Sequence, residues 1–381
     1  VKYSICLILV CSLIASCVHR DASKENPALL QSKLEELRIK YDVPGASIAI
    51  ISEGKILSPI SLGWANLKDQ PVTSNTLFQA CSMTKTLTAA LVLMEFERRH
   101  LSLDTPVNQL LKRWKIPANK FANQVTTRML LNHTAAISNP YPDGGAQFSK
   151  HKATLTEQFL GQAPALNSPL VVEANPGTKY SYCNGCFSVL QMLIEDITGR
   201  DYRDLVKENL LDPIGMKNST FGDTLLDTQP ANVALNYDDN HKVYPPQRKM
   251  PIYATGSLWT TADEMALFIR EVQKGLAGKS FILSQKVAQE MVTPSSTPTR
   301  GLGFFIGDRF ADEQKEGNYF FHGGQNIGYL AMMIGSLDGK SGAVVMINIS
   351  SPWGSKEFPH FGFVKEAIRQ IAIDVHPTTV L

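Results

Sequence analysis

Charge of one sign is scarce in this chain: 37 Lys and Arg stand against 35 Asp and Glu, a formal net charge of +2 over 381 residues. No stretch gathers lysine and arginine, so the sequence carries no footprint for nucleic acid and no polybasic patch for a membrane surface. It has no G-x-S-x-G nucleophile elbow and no H-E-x-x-H zinc helix, and Gly278-Lys279-Ser280 lacks the upstream glycine that a phosphate loop needs. Neither a metal nor a cofactor is expected. No internal repeat is visible, and the one long apolar run that suggests a membrane address lies at the very N-terminus. The remainder is ordinary globular material, 44% hydrophobic and 19% charged, which argues against disorder, a collagen-like chain or a multi-span membrane protein. Its length suggests two structural units with a large buried core.

At that N-terminus Lys2 precedes an apolar run over residues 5–14, which ends in Ala15-Ser16-Cys17. The run is too short to span a bilayer as a permanent helix and reads as a secretory signal over residues 1–16. Ile14-Ala15-Ser16-Cys17 resembles the bacterial lipobox, which implies cleavage before Cys17 and lipid on that cysteine. An ordinary secretory signal is the alternative. Val18, rather than Asp, after the cysteine implies a lipoprotein of the bacterial cell envelope, anchored in the outer membrane facing the periplasm by its N-terminal lipid alone. Of six cysteines, two would leave with the signal and Cys17 would carry lipid, leaving Cys81, Cys183 and Cys186. Three do not make a disulfide framework. Cys183-Asn184-Gly185-Cys186 has the spacing of a redox pair but no βαβ pattern around it, so these cysteines read as small buried residues.

Residues 29–41 place Leu30, Leu34, Leu37 and Tyr41 on one helical face, and Pro44-Gly45 ends that helix. Ala46-Ser47-Ile48-Ala49-Ile50-Ile51, followed by Ser52-Glu53-Gly54-Lys55 and another apolar run, reads as strand, turn and strand. Residues 329–334 and 343–349, separated by the turn-rich 335–342, read as a second hairpin. Val364, Ala367, Ile368, Ile371 and Ala372 then recur at helical spacing. Between these ends the clearest patterns are helical, at residues 87–96, 126–131, 188–197, 202–211 and 262–268. The plan is α+β: an antiparallel sheet flanked by helices and built from both chain ends, residues 17–105 and 253–381, with a mostly helical second domain, 106–252, inserted. Stretches 139–145 and 237–246 read as loops able to shape a cleft.

Three short elements could carry chemistry. Ser82-Met83-Thr84-Lys85 heads an apolar helix, and residues i and i+3 share a helical face, which sets an amine beside a hydroxyl. A desolvated, neutral lysine can take the serine proton, and the Ser82 N–H at a helix start can stabilise an oxyanion. The bland alternative is a helix start with a surface lysine. Tyr182 and Asn184 stand two apart just before the helix at residue 188, one phenol for proton transfer and one amide for orienting substrate; an aromatic packing residue and a helix cap would look the same. His322-Gly323-Gly324-Gln325 directly precedes the late hairpin. Its glycines permit close backbone approach and the Gln325 N–H offers a second oxyanion donor, although a histidine at a turn fits equally.

Together and in this order, the three elements resemble the serine β-lactamase and penicillin-binding-protein superfamily, in its branch of class C β-lactamases, D-Ala-D-Ala carboxypeptidases and esterases. Val43-Pro44-Gly45-Ala46, Leu103-Asp104-Thr105-Pro106-Val107, Leu130-Leu131-Asn132-His133-Thr134, Pro213-Ile214-Gly215-Met216 and the stretch 256–265 support it, so the similarity runs over residues 29–349. The resemblance implies a β-lactamase/transpeptidase-like fold and acyl transfer through an acyl-serine. Ser82 would attack, Lys85 and Tyr182 would share proton transfer, and Asn184, His322, Gly324 and Gln325 would bind substrate. Histidine stands at 322 where the lactamases usually carry lysine, and it lacks the permanent charge that meets a β-lactam carboxylate. A serine hydrolase of ester or peptide bonds with weak lactamase activity is therefore expected. A β-lactamase proper and a catalytically silent protein binding peptidoglycan or penicillin are the alternatives. Ala135-Ala136-Ile137 stands where relatives usually have Ser-Gly, which could alter the loop there, and Cys81 and Cys183 would approach each other if their elements share a cleft.

Overall fold

The computed structural model describes residues 27–67, 69–139, 153–222, 225, 232–244, 251–307, 318–351 and 359–375. The signal sequence with Cys17, and all but the first residue of the loop 139–145, lie outside the described residues, as do residues 245 and 246 of the second loop. The strands are β1 (Gly45–Ser52), β2 (Lys55–Ile56), β3 (Ile60–Asn66), β4 (Gln70–Pro71), β5 (Phe78–Gln79), β6 (Trp259–Thr260), β7 (Phe305–Gly307), β8 (Tyr319–Asn326), β9 (Tyr329–Ser336) and β10 (Gly342–Ile347). The helices are α1 (Pro27–Lys40), α2 (Thr84–Arg98), α3 (Val107–Leu110), α4 (Thr127–Leu131), α5 (Leu155–Leu160), α6 (Asn184–Thr198), α7 (Tyr202–Val206), α8 (Asp212–Ile214), α9 (Ala262–Leu276), α10 (Gln285–Val292) and α11 (Pro359–Val375).

The main sheet has the order β4-β3-β1-β10-β9-β8-β7, with β2 folded onto the end of β1. Its neighbouring strands are antiparallel, and the central pair joins the two chain ends, Ala46 opposite Ile347 through to Ile51 opposite Gly342. Helices cover both faces, which is why β1 and β10 read as nearly unbroken apolar runs rather than as alternating ones. Successive side chains of a strand point to opposite faces. Ala46, Ile48 and Ile50 meet Leu30 and Leu34 of α1 and Phe363, Val364 and Ala367 of α11. Ala49 and Ile51 join Met265, Ala266 and Ile269 of α9 in a larger core, which continues through Leu87 and Leu91 of α2 to Phe187, Leu190 and Leu193 of α6. The mixed fold with its antiparallel sheet is thus the one expected. Among the described residues no helix is long and apolar enough to cross a membrane.

Two sequence expectations need correction. His322-Gly323-Gly324-Gln325 does not precede the hairpin but lies within β8, where His322 pairs with Met333 and Gly324 with Ala331. Continuous pairing with β9 along one edge, with β7 adding a second partner up to Phe321, outweighs the weak intrinsic preference of a Gly-Gly step. Helix α6 also starts a turn earlier than residue 188, at Asn184, because Cys183 rather than an asparagine caps it: the Cys186 N–H lies 2.8 Å from Cys183 Sγ. Ala136 keeps a left-handed backbone, φ +54°, so the loop retains a glycine-like torsion without the glycine.

Candidate active site

Ser82 sits on a one-turn 3-10 segment, Cys81–Met83, that runs straight into α2. Cys81 immediately before it is held at φ +50°, a conformation that L residues rarely adopt, so the chain bends sharply at the serine. The turn leaves Ser82 partly exposed while Lys85 on the next turn is fully buried. Lys85 Nζ donates to Ser82 Oγ at 2.9 Å and to the Thr255 carbonyl at 2.6 Å. The spacing anticipated the first contact. The second comes from main chain just ahead of β6 and has no side-chain signature to read. Burial lowers the Lys85 ammonium from an ordinary pKa of 10.5 to about 7, because the charged form loses its hydration.

Tyr182 is brought to the same amine: Lys85 Nζ lies 5.1 Å from the phenol ring centroid and 5.7 Å from that of Phe187. Asn184 is 5% exposed at the first turn of α6, and its N–H donates to Asn139 Oδ1 at 3.1 Å, so the start of one predicted loop reaches this element. His133, noted in the sequence only as part of Leu-Leu-Asn-His-Thr, stacks on Tyr182 with centroids 4.5 Å apart. Cys183 and Cys186 form a disulfide across the first turn of α6. That overturns the reading of three unpaired small residues and leaves no Cys183 thiol to pair with Cys81. Cys81 remains a free buried thiol, its Sγ 3.4 Å from the Gln79 carbonyl, and burial pushes its pKa up so that it stays neutral.

On the other side, β8 runs directly against the serine turn. A Cβ at Gly324 would stand 2.9 Å from Ser82 N, 2.8 Å from the Ala80 carbonyl oxygen and 2.7 Å from Cys81 Cβ, so glycine here admits the nucleophile's own backbone. Gln325 Nε2 donates to the Ser351 carbonyl at 3.1 Å. His322 is 2% exposed; its Nδ1 lies 2.5 Å from the Gly323 carbonyl, and its ring stacks on Phe305 at 5.0 Å and stands 6.5 Å from the Tyr182 ring. Burial, aided by the Lys85 charge, pushes its pKa down to about 3, so the imidazole is neutral. Arg300, which sequence reasoning passed over, lies 4.5 Å from the Phe305 ring centroid and 4.7 Å from that of Tyr180. A cavity of about 10 Å³, roughly one water in size, separates Arg300, His133 and His322. The structure therefore gathers Ser82, Lys85, Tyr182, His322 and Gly324 around one buried amine and one partly exposed hydroxyl. Among the described residues no group of three His, Cys, Asp or Glu is placed to hold a metal ion.

A two-faced sheet from both chain ends, a Ser-x-x-Lys turn under one of its strands and a Tyr-x-Asn at the facing helix together define the class of β-lactamases and penicillin-binding proteins. The family model described as Beta-lactamase matches residues 30–358, and the chain belongs to that family. Penicillin-binding protein 4 of Amycolatopsis lactamdurans is 27% identical over 190 residues, 50% of this chain and 48% of that protein. A D-aminopeptidase of Gluconobacter oxydans is 28% identical over 196 residues, 50% of this chain and 35% of that protein. The chain thus spans about half or less of the length of both relatives. The D-amino acid amidase of Ochrobactrum anthropi SV3, solved with L-phenylalanine, shares the fold with a TM-score of 0.73 over 92% of this chain and 98% of that one, at 21% identity.

Proposed function

We propose that the protein is a serine hydrolase that cleaves ester or peptide (amide) bonds through an acyl-serine at Ser82. The observation that carries this reading is the buried Lys85 ammonium, drawn down to about 7 and 2.9 Å from Ser82 Oγ. Neutral Lys85 accepts the Ser82 proton as Oγ bonds to the substrate carbonyl carbon. The Ser82 N–H, with the Gln325 N–H from β8, faces the oxyanion. As the tetrahedral adduct collapses, the bond to the leaving amine or alcohol breaks and that group takes the proton through Lys85 or Tyr182. Water then attacks the acyl-serine, giving its proton to the same base; the acyl–Oγ bond breaks, Ser82 Oγ takes that proton back, and the acid leaves. Asn184 orients the bound acyl group.

Peptide bonds are favoured by the names of the relatives, a D-aminopeptidase and a D-amino acid amidase among them. A β-lactamase proper is disfavoured by His322, whose neutral ring offers no cation to a lactam carboxylate. The lipobox-like Ile14-Ala15-Ser16-Cys17 supports a lipid-anchored envelope protein, with peptidoglycan as a candidate polymeric substrate. The test is intact-mass spectrometry after incubation with a fluorophosphonate, p-nitrophenyl butyrate, a D-Ala-D-Ala peptide, D-phenylalanine amide and penicillin, beside Ser82→Ala. Labelling that vanishes in Ser82→Ala is expected, with ester or amide turned over faster than penicillin. A folded protein that takes no adduct would favour the silent binding role.

A further inference from the structure

His133 meets the Tyr182 segment in three ways. Its ring lies over the phenol with planes 28° apart. Its main-chain carbonyl accepts the Ser181 N–H at 2.9 Å, and its Nδ1 accepts the Cys183 N–H at 3.0 Å. The residues on both sides of Tyr182 are thus tied to one histidine, and Tyr182 itself to the ring of that histidine.

An Nδ1 that accepts a hydrogen bond carries no proton, so the neutral ring has its proton on Nε2. Burial keeps it so: His133 is 5% exposed, and its pKa lies well below the ordinary value because of desolvation first and the Lys85 charge second. An exposed histidine would lose this acceptor on protonation in mild acid. The residue stands at φ +60°, a left-handed backbone that histidine enters more readily than most residues. From that bend the carbonyl and the ring of a single residue reach alternate residues of the same extended segment.

On the acyl-serine reading given above, we propose that His133 is a positioning residue, which fixes residues 181–183 so that the Tyr182 phenol stands beside the Lys85 amine. A space-filling aromatic would supply the stacking but leave the buried Cys183 N–H without its acceptor. The segment would then be free to shift, and a displaced phenol no longer lies on the proton's path.

The test compares His133→Phe, which keeps a ring over Tyr182 but removes the acceptor, with His133→Asn, whose Oδ1 restores one. Each is titrated to completion with a fluorophosphonate, so that turnover of p-nitrophenyl butyrate is counted per reactive Ser82 and loss of folded protein drops out. We expect His133→Phe to lower kcat by about 10- to 100-fold with KM within about threefold, and His133→Asn to recover most of that loss, since misplacing a catalytic group by about 1 Å costs up to about 100-fold. Parent turnover per serine in His133→Phe, or an equal loss in both variants, would overturn the proposal. Parent protein that takes no fluorophosphonate at Ser82 would instead remove the acyl-serine reading, and this role with it.

Discussion

A lysine stripped of water gives up its proton far more readily than one at the surface, and Lys85 is buried on every side while holding its amine against Ser82 Oγ. Its pKa near 7 fixes the sign of the pH dependence. The base is the neutral amine, whose fraction rises with pH until about 7 and then saturates. Acylation by p-nitrophenyl butyrate should climb about tenfold per pH unit well below that point and level off above it. Stopped-flow acylation rates from about pH 5 to about pH 9 check this, and a flat profile would remove Lys85 as the base. Lys85→Arg keeps the charge but stays protonated throughout, so it should lose at least about 100-fold in acylation rate. Ala136 raises a separate question of backbone cost. It holds φ +54° without the glycine that such a torsion favours. Ala136→Gly should stabilise the fold by about 0.5–1 kcal/mol, the strain relieved less the entropy of a freer unfolded chain. Urea unfolding of the two proteins would show it, and a midpoint that falls would mean that the alanine methyl's packing outweighs the torsion.

The meeting of β8 with the Ser82 turn sets the geometry of the cleft, and its two glycines are not equivalent. Gly324 has the serine turn where a Cβ would go, whereas at Gly323 the nearest atom is Met332 Cε at 3.4 Å, the movable end of a flexible side chain. Gly324→Ala should push β8 off the nucleophile and cut acylation by about 100-fold or more, the usual cost of losing an oxyanion donor. Gly323→Ala should cost far less. Fluorophosphonate labelling rates of the pair separate backbone approach from a general intolerance of side chains in this strand, and equal rates would discard the approach. The same contrast shows what a sequence can hold. Ser82 and Lys85 lie within one turn, so their contact is local and legible, as are β1 and β10, whose two buried faces leave unbroken apolar runs. The start of α6 is not legible in this way, because the Cys183–Cys186 bond depends on where two sulfurs end up rather than on how far apart they stand in the chain. Nor is β8 as a strand, since its Gly-Gly step has little strand preference of its own and the serine turn beneath it is tertiary. The Thr255 carbonyl could not be anticipated at all, being main chain.

Across the whole molecule the cleft is a place where distant segments converge. Ser82 and Lys85 come from the head of α2, Tyr182 from the approach to α6, the second Lys85 acceptor from Thr255, and His322 and Gly324 from β8. Helices α1 and α11 supply none of these residues: they cover the sheet through β3, β9 and β10 and share a smaller core with alternate residues of β1, against whose edge Tyr182 packs. A covalent adduct on Ser82 should therefore slow amide hydrogen exchange together in β8, in residues 181–184 and around His133, because each of these must stay in place while the adduct is held. Exchange in α1 and α11 should be unchanged, since local opening of those helices need not disturb the cleft. Exchange before and after complete fluorophosphonate labelling tests this segment by segment. Protection spread evenly over α1, α11 and the cleft would mean that these amides exchange only by global unfolding, so that the adduct stabilises the molecule as one cooperative unit.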